Sequence, residues 1–164
     1  MGHSKIGLAT LALLLTTGCA SVQWVFQKMV RTPGERLESM PDAVWSQYDC
    51  ESKSRPFFQI EQNALAPKRV RSGGDFGHRM VYVLCPRSNT EVVTGRLSTR
   101  IRFKGAPLIQ DTVEGYELKP GRWVLDAFVQ IPANAEPGIY AYEIVFESGD
   151  VAFDERLSFA VGVR

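Results

Sequence analysis

The chain has 164 residues, with 19 Lys and Arg against 18 Asp and Glu, two His and three Cys. So even a charge balance excludes nucleic acid as an expected partner, because a phosphate-binding surface needs a cationic excess. The length fits one domain with its own core.

The first residues read as a targeting segment. Lys5 gives a positive start, Ile6 to Leu15 is apolar apart from small residues and Thr10, and Thr16-Thr17-Gly18 precedes Cys19. The run is too short for a stable membrane span. It resembles a bacterial lipoprotein signal, in which small residues precede a Cys that is lipidated and becomes the mature N-terminus. That pattern places Leu three residues before the Cys; here Thr16 stands there, with Leu15 one residue further back. Ala20 rather than Asp follows Cys19. The resemblance therefore implies anchoring in the outer membrane, facing the periplasm, with several acyl chains on Cys19 making the attachment durable. An ordinary signal peptide cut at a nearby small residue is the other reading.

Loss of residues 1–18 would leave 146 residues with 18 basic and 18 acidic side chains, since Lys5 is the only charge removed. Two cysteines would remain, Cys50 and Cys85. In an oxidising periplasm an isolated pair forms a disulfide. It would close a loop of about 35 residues and contribute roughly 2–4 kcal/mol. A redox-active pair is the alternative, although no Cys-x-x-Cys spacing is present.

Residues 19–55 read as a lipid-anchored tether and arm. Val22, Trp24, Val25, Phe26, Met29 and Val30 are apolar, and Trp and Phe beside a lipid anchor suit a membrane interface. A segment packed on the domain and a plain tether are the other two readings. Thr32-Pro33-Gly34 breaks what precedes it. A short helix is expected within 35–49, with Pro41 in its first turn and Met40, Val44, Trp45 and Tyr48 on one face.

From Pro56 to the C-terminus the pattern is β. Phe57 to Glu61 is a first strand, and Ala64 to Val70 continues it past Pro67, a position suited to an edge or a switch between sheets. Gly73-Gly74 is expected to close a hairpin. His78 to Cys85 alternates with Met80, Tyr82 and Leu84 on one face. Glu91 to Phe103 is long, with a bulge expected at Gly95. Beyond that bulge Leu97, Thr99, Ile101 and Phe103 face one way, and Arg96, Ser98, Arg100 and Arg102 the other. Residues 104–120 read as a connection containing a short strand at Leu108 to Val113. Strands at Arg122 to Ile131, Ile139 to Glu147 and Val151 to Val163 complete the chain. About seven strands in residues 56–164 predict an all-β, two-sheet sandwich.

The stretch Ile131-Pro132-Ala133-Asn134-Ala135-Glu136-Pro137-Gly138-Ile139-Tyr140 organises this domain. Pro fixes φ and Gly frees it, marking an abrupt reversal between two strands. The arrangement resembles the loop entering the penultimate strand of immunoglobulin-like and fibronectin-like domains. That resemblance implies that Tyr140 ties the corner to the core, and it implies a fold rather than a function.

Charge is uneven along the chain. Residues 53–104 hold 11 basic and 3 acidic residues, and residues 105–164 hold 4 basic and 10 acidic ones. In an immunoglobulin-like order Arg100 and Arg102 meet Glu143 and Glu147 across one sheet face and neutralise them. The sharper alternative makes Arg96, Arg100 and Arg102 a partner-binding stripe for an acidic surface. His78, the only His after residue 18, is expected at the surface or an edge, and one His excludes a His-rich metal site. No nucleophile sits in a recognisable context and no phosphate loop has standard spacing. The expectation is therefore not an enzyme, with no cofactor and no metal: a lipoprotein that binds another envelope protein as an adaptor or assembly factor. A small-molecule or glycan-binding module using Trp45, Tyr48, Phe76, Tyr82 or Tyr116 is the alternative.

Overall fold

The computed structural model describes residues 34–162; Cys19 and the tether before Gly34 lie outside them. Nine strands and one short helix follow in order: β1 (Gly34–Ser39), α1 (Pro41–Tyr48), β2 (Phe57–Ala66), β3 (Arg69–Arg71), β4 (Asp75–Cys85), β5 (Val93–Phe103), β6 (Ala106–Leu118), β7 (Gly121–Gln130), β8 (Gly138–Glu147) and β9 (Ala152–Gly162). They form an all-β sandwich. One sheet has the order β1-β7-β4-β2 and the other β3-β9-β8-β5-β6. All pairings are antiparallel except β3 with β9.

Strict alternation fills the space between the sheets. Phe76, Met80, Tyr82 and Leu84 point inward from β4, and Tyr140, Tyr142, Ile144 and Phe146 from β8. The aromatic rings among them join into two files. One runs Phe103, Tyr140, Phe159, Phe76, Tyr142, with centroid spacings of 4.3, 5.5, 4.7 and 5.7 Å. The other runs Tyr116, Phe146, Phe153, Phe58, Tyr82, with spacings of 6.3, 5.7, 5.1 and 5.7 Å. Such ring pairs stabilise beyond their buried area by about 0.5–1.5 kcal/mol each.

Pro67 stands at the switch between sheets: β2 lies at the edge of the four-stranded sheet and β3 at the edge of the five-stranded one. Gly73-Gly74 then carries the chain back across, so it links two sheets rather than closing a hairpin. The turn is fastened by the Gly73 amide donating to the Pro132 carbonyl at 3.1 Å and the Ile131 amide to the Gly74 carbonyl at 2.8 Å. Gly95 sits at a register shift between β5 and β6. A Cβ there would lie 2.4 Å from the Glu147 carbonyl and 2.5 Å from the Phe146 ring, which requires glycine.

The short helix expected within 35–49 is present with Pro41 at its start, and a strand that was not expected precedes it. Gly34–Ser39 is a strand paired with β7, and only Pro41–Tyr48 is helical. Pro41 pre-sets the first turn and Asp42 complements its dipole. Val44 is buried on the outer face of the four-stranded sheet against Val83, Cys85 and Cys50. Met40, expected on that apolar face, caps the helix and is 63% exposed. Cys50 and Cys85 are joined, with a Cα–Cα distance of 5.9 Å, and fasten the segment after α1 to β4.

At the Pro-Gly corner the Tyr140 hydroxyl donates to the Glu136 carbonyl at 2.7 Å, while its ring is buried. Tyr140→Phe keeps the ring and loses the bond. It should lower unfolding free energy by about 1 kcal/mol with no change in the far-ultraviolet dichroism spectrum, as measured by urea denaturation.

Candidate functional site

The predicted arginines lie on the outer face of the five-stranded sheet. The ladder places Arg96 opposite Glu147 and Arg100 opposite Glu143 on β8. On the other side, Arg96 stands beside β6 and its Nε lies 2.7 Å from Glu114 Oε1. Arg102 Nη1 lies 3.5 Å from Glu143 Oε2, and Arg156 of β9 approaches the other oxygen at 3.8 Å. Glu143 is buried beneath these guanidinium groups. Arg102 also donates to the Gly105 carbonyl at 2.6 and 3.2 Å. Arg100 Nε is buried without a hydrogen-bond partner among the described residues. The three arginines therefore share one face, with Arg96 and Arg102 already spending charge on acids of their own sheet. These contacts are of the self-neutralising kind, with partners other than those expected: Glu147 stands opposite Arg96, and Arg102 approaches Glu143. Exposed pairs of this kind contribute about 0.2–1 kcal/mol.

Beside Arg96 the Gly95 bulge and Gly115 leave a shallow depression of about 460 Å³, lined also by Thr94, Glu147 and Ser148. A second, near Trp45, Glu51, Arg55 and Arg87, has about 450 Å³. Neither assembles a nucleophile with a base. Among the described residues no group of three or more His, Cys, Asp or Glu could hold a metal ion. Asp111 and Glu114 both stand on β6.

The aromatics of the ligand-binding alternative are largely committed. Phe76 and Tyr82 are core residues. The Tyr116 hydroxyl donates to Glu35, which also takes the Lys119 ammonium at 2.5 Å. Lys119 in turn lies 4.9 Å from the Trp123 ring centre and donates its amide to the Tyr82 hydroxyl at 2.9 Å. Burial drives the Tyr116 and Tyr82 hydroxyls well above the usual tyrosine range. Trp45 donates to Glu51 at 3.0 Å and carries Arg55 over its ring. The Tyr48 hydroxyl donates to Glu61, which Arg122 grips through two 2.8 Å contacts. That grip, first of all, holds the Glu61 carboxyl below its ordinary value.

On the opposite sheet Arg79 makes a two-pronged bond to buried Asp126 at 2.8 and 2.9 Å, and Arg36 of β1 adds a contact at 3.5 Å. Such paired geometry is the stronger form of a charged hydrogen bond.

His78 corrects the sequence reading: it is 3% exposed, not at the surface. The reason lies in β4 itself, where His78 shares its inward phase with Phe76, Met80 and Tyr82. Its Nε2 donates to Asn63 Oδ1 at 2.8 Å, and Asn63 donates onward to Glu155 at 3.1 Å. The Tyr142 ring lies 4.9 Å away. Burial pushes the imidazole down to about 4 from 6.5, outweighing attraction to Asp126.

The sequence reading placed only a short strand, Leu108 to Val113, where the structure has β6. It is a thirteen-residue strand at the edge of its sheet, exposed continuously from residue 106 to residue 115. Its only cue was alternation around Pro107 and Gly115, residues that demote a strand in its middle but are tolerated at an edge or bulge.

No family model and no curated protein matches this chain. Solved structures do resemble it in part. An alkylpurine DNA glycosylase from Pseudomonas fluorescens bound to abasic-site DNA is 9% identical, over 63% of this chain and 30% of that one, with a TM-score of 0.45. A β-glucuronidase from Parabacteroides merdae is 16% identical over 63% and 14%, with a TM-score of 0.40. A β-glucosidase from Listeria innocua is 14% identical over 67% and 16%, with a TM-score of 0.43. This chain thus spans less than a third of each, and likeness at this level carries no functional argument.

A pH dependence follows from His78. Its native value lies below its unfolded one, so the unfolded chain takes up the proton first and stability falls as pH drops through 6.5 toward 4. Between pH 7.5 and 5 the loss should be about 2 kcal/mol. Glu61 and Asp150, also held down by arginines, start from 4.5 and 3.8 and act mainly below that window. Urea midpoints across it should shift for the parent and stay level for His78→Gln; equal shifts in both would contradict the assignment.

Proposed function

We propose that this protein is an outer-membrane lipoprotein, anchored through Cys19 and facing the periplasm, that binds another envelope protein without catalysis on an immunoglobulin-like body. The anchoring reading rests on the apolar run and small residues before Cys19, with Ala20 after it. The immunoglobulin-like reading is supported by the strand order, by the first strand dividing between sheets at Pro67, by β3 running parallel to β9, and by the Tyr140 corner bond. The disulfide departs from that pattern, since it joins the α1 region to β4 rather than one sheet to the other.

The observation that carries the binding reading is the exposed edge of β6. The interior is occupied by rings and the facing arginines and acids of the outer sheet are largely paired, so recognition falls to edges and outer faces. Arg96, Arg100 and Arg102 stand on β5 beside this edge, with Arg96 and Arg102 directed to Glu114 and Glu143 of the same sheet rather than to a partner.

Membrane fractionation with radiolabelled palmitate tests the anchor. The parent should label and sediment with the outer membrane, whereas Cys19→Ser should lose the label. A parent chain that stays soluble and unlabelled would overturn the anchoring. Crosslinking in cells should recover one envelope protein in near-equal amount; none above background would overturn the adaptor reading.

A further inference from the structure

We propose that the β6 edge between Ile109 and Glu114 is the docking site for one extended, basic segment of a partner protein, which adds to the five-stranded sheet as a further strand. The inference rests on the protein-binding reading and names its surface and the partner's chemistry.

The backbone supplies the first reason. Among the described residues β6 has β5 on one side and no strand on the other. In such a strand alternate amides and carbonyls point outward with only water to bond. The other edges are less available. β3 has three residues and β1 six. β2 is broken by a register shift between Ile60 and Gln62, and Glu61 there is held by Arg122. In β6 the ladder is irregular near Gly115 and again near Leu108, but regular from Ile109 to Glu114. Six regular residues are enough for recognition by strand addition.

The side chains supply the second reason. Ile109, Asp111 and Val113 share the inward phase, opposite Ile101, Thr99 and Leu97. Ile109 and Val113 are 40% and 46% exposed, so an incoming strand gains apolar contact on that side. β6 carries Asp111, Glu114 and Glu117 and no cation, with Glu114 already paired to Arg96 of β5 and Asp111 left facing the edge. Lysine is the common guard of an edge, and here the charge is of the other sign. A second copy pairing along β6 would bring these acids together, and an anionic lipid surface would repel them. A segment alternating apolar residues with Lys or Arg meets the edge with opposite charge.

The test places the photoreactive amino acid benzoylphenylalanine at Gln110, and separately at Thr112, in the full-length protein in its own cells. Control positions are Ser158 and Asp154, on the outer face of β9. Both edge positions should crosslink to one segment of one other protein, at sites two residues apart, and that segment should carry net positive charge. Asp111→Lys combined with Val113→Lys should cut the yield about tenfold without changing the dichroism spectrum. Crosslinks to a second copy, to the chain's own residues, to lipid, or to an acidic or out-of-register segment would overturn the proposal. Crosslinks from the control face alone would overturn it while leaving the protein-binding reading in place. Crosslinks from no position would overturn both.

Discussion

The two files of aromatic rings between the sheets constrain everything else in this protein. Each file crosses from one sheet to the other, through Phe159 to Phe76 and through Phe153 to Phe58. Together they hold the sheets at a spacing set by ring size, and Phe76, Tyr82, Tyr140, Tyr142 and Phe146 are the inward positions of β4 and β8 that build them. The Tyr140 corner and the polar run from His78 through Asn63 to Glu155 follow from that arrangement. Once rings fill the centre, a polar group sharing their phase must bring its own partners inside.

An interior so filled moves recognition outward. The outer face of the five-stranded sheet is a self-paired charge lattice around buried Glu143. The outer face of the other sheet is partly covered by α1, the Cys50–Cys85 link and the Arg122–Glu61 clasp. What these devices leave open is the edge of β6, where hydrogen-bonding capacity and apolar side chains are exposed together. That combination suits a surface read by another chain better than a pocket read by a small molecule.

Much of this was legible in the sequence, for identifiable reasons. Alternation in Met80-Val81-Tyr82 and in Leu97 to Phe103 reports a sheet with one face buried, so strand identity emerged from it, whereas the meeting of Arg100 with Glu143 followed from the expected strand order and that of Arg102 with Glu147 did not occur. The Gly95 bulge and the Pro-Gly corner were legible because only a few residues tolerate those backbones. β1 was not, because Gly-Glu-Arg-Leu-Glu-Ser has one apolar residue and becomes a strand only through its pairing with β7. β6 was under-read because an edge strand need not obey the burial pattern that betrays a central one. His78 was misplaced by weighing residue type over phase.

The β6 edge is open while the core strands are closed. Residue-resolved hydrogen exchange on the purified protein measures that directly. Amides of β4 and β8 should exchange at the rate of global unfolding, while alternate amides from Ile109 to Glu114 exchange orders of magnitude faster. Uniform protection along β6, matching β8, would mean that the edge is already covered in the protein alone, and would contradict the account.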